Sequence, residues 1–212
     1  METVRGHMPF YNQLSDSSNF VSNFTRDPIE DLGVYSRGYK FAADSLTKEL
    51  LEKAHFPDYE AYPVVFLYRH ALELSLKHVV SAAALLAKYT FRSDVACTFE
   101  RNHEIKPLAI SVVRICKKLF PKDTTLQEKC ALIRETCGEL SDLDPESFSY
   151  RYPIKKNNLP STKHHQIVNL RSFSERMSAV LDDLETLHFG LEVETALAEE
   201  VYRILESEYG SI

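Results

Sequence analysis

The chain has only six glycines among its 212 residues, and they form no cluster. The glycine-rich loops that hold phosphates in P-loop and dinucleotide-binding proteins are therefore absent. The sequence also contains no GxSxG segment and no HExxH segment. These absences exclude the nucleophile elbow of α/β-hydrolases and the zinc site of the common metallopeptidases.

Cysteine pairs and long apolar runs are also missing. The four cysteines include no CxxC pair, which is typical of reduced, buried thiols. No apolar run approaches the roughly 18 residues that a membrane helix requires, and the N-terminus lacks a hydrophobic signal core. His164 and His165 are adjacent, and most backbones point such rings apart, so we expect no metal there. The sequence predicts a cytoplasmic protein without a membrane segment, a metal or a cofactor.

Charge is distributed unevenly along the chain. The net charge of −6 disfavours a surface that coats nucleic acid in general. Residues 147–174, however, include no acid, and they carry Arg151, Lys155, Lys156, Lys163 and Arg171. From Glu175 onward the balance inverts, with ten acids against two arginines. A local basic patch on an acidic protein predicts attraction for a phosphate group.

Apolar residues recur at helical spacing through most of the chain, which predicts a mainly α fold. We expect a helical bundle of five or six helices over residues 34–53, 62–88, 108–119, 126–137, 177–191 and 193–205. Gly138 is a natural stop for the fourth helix, and Gly190 lies near a division between the last two. Residues 1–30 read as an extended or partly ordered lead-in, and residues 31–212 as a single helical domain.

One small β-hairpin is predicted between the fourth and fifth helices. Residues 148–154 alternate aromatic and polar side chains, and residues 165–170 follow after a turn region. Pro153 lies inside the first of these strands, so that strand is expected at an edge.

The helix predicted over residues 62–88 is apolar nearly all the way round, yet Arg69, His70, Glu73 and Lys77 share one side of it. An unpaired charge in such a helix is costly, so these groups need partners. One interpretation is an internal salt bridge that fixes the position of the helix. The other is a polar site in which Glu73 orients Arg69 or His70 toward a ligand.

Two further segments are candidates for the same site. His103 precedes the third predicted helix, so it is either a neighbour of the N-terminal cap or a site residue. Arg151 lies between Tyr150 and Tyr152, and the alternation of a strand points its side chain away from both rings. Arg151 is therefore either a surface residue of an edge strand or a phosphate-binding residue.

Three segments together resemble bacterial members of the HEPN superfamily, which are helical domains of higher eukaryotes and prokaryotes that bind nucleotides. They are RHALELSLKHV on the long helix, NHEIKPL before the next helix, and FSYRYP before a turn. The similarity covers about residues 35–205. It implies an up-and-down helical bundle, a homodimer, and a ribonuclease or RNA-binding role in toxin–antitoxin or antiphage systems.

The chain departs from the pattern of the catalytic members, in which a histidine follows an arginine by about two helical turns. The nearest case is Arg69 and His78, with eight residues between them. The resemblance therefore leaves open whether the protein is an enzyme. As a metal-independent endoribonuclease, it would use His70 or His103 as the general base, with Arg69 or Arg151 stabilising the phosphorane.

Two hypotheses of different classes follow. The first is a HEPN-like protein that binds RNA or a nucleotide, with Glu73, Lys77, Arg151 and Tyr152 as ligand-binding residues. The second is a non-catalytic helical module that binds a protein partner, in which the same polar residues form a structural network.

Overall fold

The computed structural model describes residues 20, 25–53, 56–95, 103–145, 149–155, 157–161 and 167–209. These residues form five α-helices: α1 (Glu30–Glu52), α2 (Ala61–Tyr89), α3 (Ile105–Leu119), α4 (Thr124–Leu143) and α5 (Leu170–Tyr209). The prediction of a mainly α bundle is confirmed. Within the described part of the chain, no helix is long and apolar enough to cross a membrane.

Helix α2 lies at the centre of the bundle and packs against α1, α3 and α5. Its buried residues are spread around the whole circumference, as expected for a helix without an exposed polar face. Pro63 lies in the first turn, where its missing N–H removes no helical hydrogen bond. The helix ends at Tyr89, and the N–H of Thr90 still bonds to the carbonyl of Leu86 at 3.0 Å.

Helices α3 and α4 pack against each other, and α3 also contacts α2. The carboxylate of Asp123 caps α4 by accepting a hydrogen bond of 2.8 Å from the N–H of Leu126. The prediction that Gly138 stops this helix is wrong, because α4 continues to Leu143. Leu140 is buried in the core, and its burial outweighs the cost of about 1 kcal/mol for a glycine inside a helix.

Helix α5 runs without a break through Gly190, so the described residues form five helices rather than six. Leu187 and Leu191 flank this glycine and are both buried in the core. The packing of Leu187 and Leu191 in the core keeps the helix continuous on both sides of Gly190. Of the expected five or six helices, the count of five is confirmed and the sixth, divided off near Gly190, is not seen among the described residues, since tertiary contacts override the weak helix propensity of one glycine.

The predicted β-hairpin is not seen, since the described residues contain no strand. Ile154 and Pro160 form a single antiparallel bridge. Proline lacks an N–H, so Pro153 and Pro160 cannot donate to a longer ladder. Leu170 begins α5 instead of ending a strand. Residues 148, 165 and 166 of the two expected strands lie outside the described residues.

Two histidine rings stack where α1, α2 and α5 meet. The ring centroids of His78 and His188 lie 3.5 Å apart, with an angle of 20° between the rings. Gly33 of α1 packs over this pair, and a Cβ atom there would lie 2.5 Å from Cε1 of His78. The close approach of α1 to the histidine pair thus requires glycine at this position.

The division into a lead-in of residues 1–30 and a domain of residues 31–212 stays a prediction, since most of the first 24 residues lie outside the described part. Cys116, Cys130 and Cys137 are buried free thiols, as the spacing of the cysteines predicts. Cys97 lies outside the described residues.

Candidate functional site

A buried arginine lies between two buried carboxylates at the junction of α2 and the end of α4. The Arg69, Glu73 and Asp144 residues are each only 2% exposed. Nε of Arg69 lies 3.4 Å from Oδ2 of Asp144, and Nη1 lies 3.8 Å from Oε2 of Glu73. Nη2 of Arg69 donates to the carbonyl of His103 at 3.0 Å. One cation therefore holds together α2, the C-terminus of α4 and the entry to α3.

Oε1 of Glu73 accepts two hydrogen bonds on the side away from Arg69. Nζ of Lys77 donates at 2.7 Å, and Nδ1 of His103 lies at 3.0 Å. Burial alone would raise the pKa of Glu73, but the hydrogen bonds from Lys77 and His103 outweigh it and lower the pKa below its ordinary value. Glu73 is thus a permanent anion at neutral pH, and it orients the ring of His103.

His103 is the exposed end of this chain of contacts. Its side chain is 63% exposed, although its Nδ1 bonds to a buried carboxylate. A carboxylate acceptor fixes the proton on Nδ1, which leaves Nε2 as the free acceptor of the neutral ring. The alternative in which His103 only neighbours the cap of α3 is incomplete, because both its ring and its carbonyl contact residues of α2.

His70 lies against aromatic rings on the same side of α2. Its ring is perpendicular to Tyr39 at 4.5 Å and parallel to Phe66 at 5.8 Å between centroids. Burial lowers the pKa of His70, the charge of Arg151 lowers it further, and Glu73 opposes the shift only in part. His70 is therefore a neutral imidazole at neutral pH.

Arg151 reaches this region from the segment between α4 and α5. Its guanidinium carbon lies 5.4 Å from the centre of the Phe66 ring and 5.8 Å from that of Tyr152. Both distances suit cation–π contacts. The strand alternation that would turn Arg151 away from the tyrosines is not seen, since this segment is a turn. Among the described residues, no carboxylate forms an ion pair with Arg151.

Asp144 also holds the segment that carries Arg151. Its Oδ1 accepts from the N–H of Ser149 at 3.0 Å, and the Ser149 hydroxyl donates to the carbonyl of Ser161 at 3.2 Å. The N–H of Ser161 in turn bonds to the carbonyl of Pro153 at 2.9 Å. The turn is therefore fixed to the same buried carboxylate that pairs with Arg69.

The structure brings all seven predicted site residues to one side of the bundle: Arg69, His70, Glu73, Lys77, His103, Arg151 and Tyr152. With Asp144 we call this set the polar cluster. It is sealed around Arg69 and Glu73 and open at His103 and Arg151. The cluster therefore presents the oriented imidazole of His103 and the guanidinium of Arg151 to solvent, above the buried ion pair of Arg69 and Glu73.

Sequence reasoning missed Asp144, Phe66 and Tyr39. The charges on α2 could have predicted a residue such as Asp144. The helix carries two cations, Arg69 and Lys77, beside the single acid Glu73. A buried second cation requires a second anion, and that anion had to come from another segment. No local pattern indicated that the partner follows α4, about 75 residues away in sequence.

Within the described residues, no group of three or more His, Cys, Asp or Glu side chains is arranged to hold a metal ion. No protein-family model, no curated protein and no solved structure matches this chain.

Proposed function

We propose that the protein is a HEPN-like protein that binds RNA or a nucleotide at the open side of the polar cluster. The observation that carries the proposal is the position of Arg151, an exposed guanidinium over aromatic rings and next to a neutral imidazole. A phosphate group satisfies an arginine fork better than water does.

The charge of the site favours an anion. Arg69 and Lys77 are balanced by Glu73 and Asp144, so the inner part of the cluster is neutral. Arg151 adds a positive charge that no described carboxylate balances. It also belongs to the acid-free segment of residues 147–174. An excess of one positive charge at an exposed position attracts a phosphate, and salt weakens that attraction.

Aromatic side chains beside Arg151 supply surfaces for a base. Tyr152 is exposed and lies under the guanidinium, and the Tyr62 and Tyr150 rings pack nearby with centroids 5.6 Å apart. Stacking of a base on an aromatic ring contributes about 1–3 kcal/mol and tolerates any sequence. This combination of a cation and rings suits a single strand or a free nucleotide.

Ribonuclease chemistry at this site would use His103 and Arg151. Nε2 of His103 takes the proton of a ribose 2′-hydroxyl while the 2′-oxygen attacks phosphorus, and the 5′-oxygen leaves with a proton from water. Arg151 stabilises the charge of the phosphorane. Arg69 is buried and paired with two carboxylates, so its contribution is to position His103 through the carbonyl contact. Endoribonuclease activity and a role in toxin–antitoxin or antiphage systems stay predictions.

Direct binding tests the proposal. Fluorescence anisotropy with a short single-stranded RNA and with ATP at low salt is expected to give saturable binding of at least one of them to the wild type. Arg151→Ala is expected to weaken it by about 10- to 100-fold, the value of a charged hydrogen bond. Arg171→Ala is the matched control, because Arg171 is an exposed arginine of the same acid-free segment outside the cluster. Wild-type protein that binds neither probe would overturn the proposal.

A second function is favoured by the buried part of the cluster. Arg69 joins α2, the end of α4 and the segment before α3 through Asp144 and the His103 carbonyl, without needing any ligand, as in a structural network of a protein-interaction module. If the wild type binds neither probe, this second function takes over. Equal binding by the wild type and Arg151→Ala would show instead that Arg151 does not carry the binding.

A further inference from the structure

The C-terminal half of α5 exposes a row of large apolar side chains. Phe189, Val193, Leu197, Val201 and Ile204 recur every three or four residues, so they share one side of the helix. Their exposed fractions run from 44% for Val193 to 66% for Phe189. We call these five residues the α5 stripe. It is about 22 Å long, since an α-helix rises 1.5 Å per residue.

The opposite side of the same helix is bound to the bundle. Leu191 and Thr195 are buried, and the ring of Tyr202 packs against Tyr89 and Phe91 with centroids 5.5 Å away from each. At about 100° per residue, Leu191 and Thr195 lie roughly 160° from the centre of the stripe. The helix is therefore fixed in orientation, and the stripe faces away from the other described helices.

This second apolar side is not needed for the fold of the described residues. A helix that packs on one side against a bundle normally carries polar residues on the other. Single exposed apolar residues are ordinary, whereas a contiguous row points to an interaction surface.

The charges beside the stripe decide which partner it suits. Three of the six glutamates in residues 191–208 flank the stripe within about 80° of its centre: Glu194, Glu200 and Glu208. The one arginine of this stretch, Arg203, is already paired with Glu199 at 2.7 Å. In an antiparallel pair of α5 helices from two copies of this chain, Glu194 of one copy would meet Glu208 of the other, because both lie on the same side of the stripe. Like charges across an interface are unfavourable, so a second copy fits poorly. A helix with lysine or arginine beside its apolar side fits well.

We propose that the α5 stripe binds a basic amphipathic helix of a partner protein, with apolar residues at i, i+3, i+4 and i+7 and Lys or Arg on both flanks. The partner helix lies along the stripe, and its cations pair with the glutamates of α5. The surface is distinct from the polar cluster, so RNA binding at Arg151 and partner binding at α5 are independent.

Two designed peptides of about 18 residues, or five helical turns, test the proposal. Both carry the same leucine stripe; one has lysine flanks and the other glutamate flanks. Anisotropy is expected to show binding of the lysine peptide at least about tenfold tighter than that of the glutamate peptide, and weakening by salt. Leu197→Glu, with Val201→Glu as the second variant, is expected to reduce binding at least about tenfold.

The control variant is Ile110→Glu, because Ile110 is a half-exposed apolar residue on the unrelated helix α3. It is expected to bind the lysine peptide as the wild type does, and circular dichroism checks that every variant keeps its helical content. Equal binding of both peptides, no binding of the lysine peptide, or equal losses in Ile110→Glu and Leu197→Glu would overturn the proposal. So would a dimer in sedimentation that Leu197→Glu alone dissociates, because a second copy would then occupy the stripe.

Discussion

A hydrogen bond of 3.0 Å joins Oε1 of Glu73, a buried carboxylate, to Nδ1 of His103, an exposed imidazole. Glu73 lies on α2 and His103 in the segment before α3, about 30 positions apart in the chain. The hydrogen bond fixes the orientation of the exposed His103 ring relative to α2. It makes the stability of the fold and the chemistry of the site depend on the same carboxylate.

Removal of the Glu73 charge is expected to destabilise the fold. Glu73→Gln keeps the shape of the side chain but leaves Arg69 with one carboxylate and Lys77 with none from Glu73. Breaking a buried ion pair in this way costs about 3–5 kcal/mol, which urea unfolding measures. Glu185→Gln is the control, since the Glu185–Arg37 pair is exposed and its loss costs about 1 kcal/mol or less. Equal effects of the two variants would mean that the cluster is not buried.

The stacked histidines are expected to make stability depend on pH. Burial, the neighbouring His188 and Arg37 lower the pKa of His78 from 6.5 to about 4. Well above pH 6.5 the group is neutral in both states and has no effect on stability. As the pH falls from about 6.5 to 4, the unfolded chain takes up a proton that the folded protein does not, so stability falls.

The expected loss from His78 between pH 7 and pH 5 is about 2 kcal/mol. Urea unfolding at the two pH values measures it, and His78→Leu is expected to flatten the profile. The rings face Glu30, Arg37, Glu185 and Glu192, of which the glutamates oppose the shift at His188. A wild-type profile that His78→Leu leaves unchanged would show that the acid sensitivity arises elsewhere, for example at His188, whose pKa burial also lowers.

Substitution of Arg151 by lysine separates the effect of its positive charge from the effect of its planar, stacking guanidinium group. Lysine retains the positive charge, so the salt dependence of the proposed RNA binding is expected to stay close to that of the wild type. It loses the planar fork and the stacking on Phe66 and Tyr152, so affinity at fixed salt is expected to fall about fivefold to tenfold. Anisotropy titrations at several salt concentrations measure both values. Full affinity in Arg151→Lys would reduce the contribution of Arg151 to charge alone.

The homodimer that the HEPN resemblance implies stays a prediction, and sedimentation over a range of protein concentrations tests it. We expect Leu197→Glu to leave such a dimer intact, because the glutamates around the α5 stripe disfavour pairing with a second copy. A monomer at every protein concentration would show that the predicted homodimer does not form.

Local patterns were sufficient to locate the helices, though not all of their ends. Pro63 and the apolar spacing after it define α2, and Phe120 with Pro121 separates α3 from α4. The same local reasoning failed at Gly138 and Gly190, where burial of Leu140, Leu187 and Leu191 keeps the helices continuous. It also failed at the expected hairpin, because the pairing of strands depends on partners that short patterns do not specify.

The sequence by itself determined that α2 carries four polar groups on one side and that these groups require partners, because an unpaired charge in an apolar helix is too costly to persist. Only the tertiary structure decided which partners they have. Asp144 pairs with Arg69, His103 bonds to Glu73, and Arg151 lies over Phe66, although these residues come from segments far apart in the chain. Helical periodicity is a local property that neighbouring residues encode, whereas ion pairs between segments follow from how the helices pack.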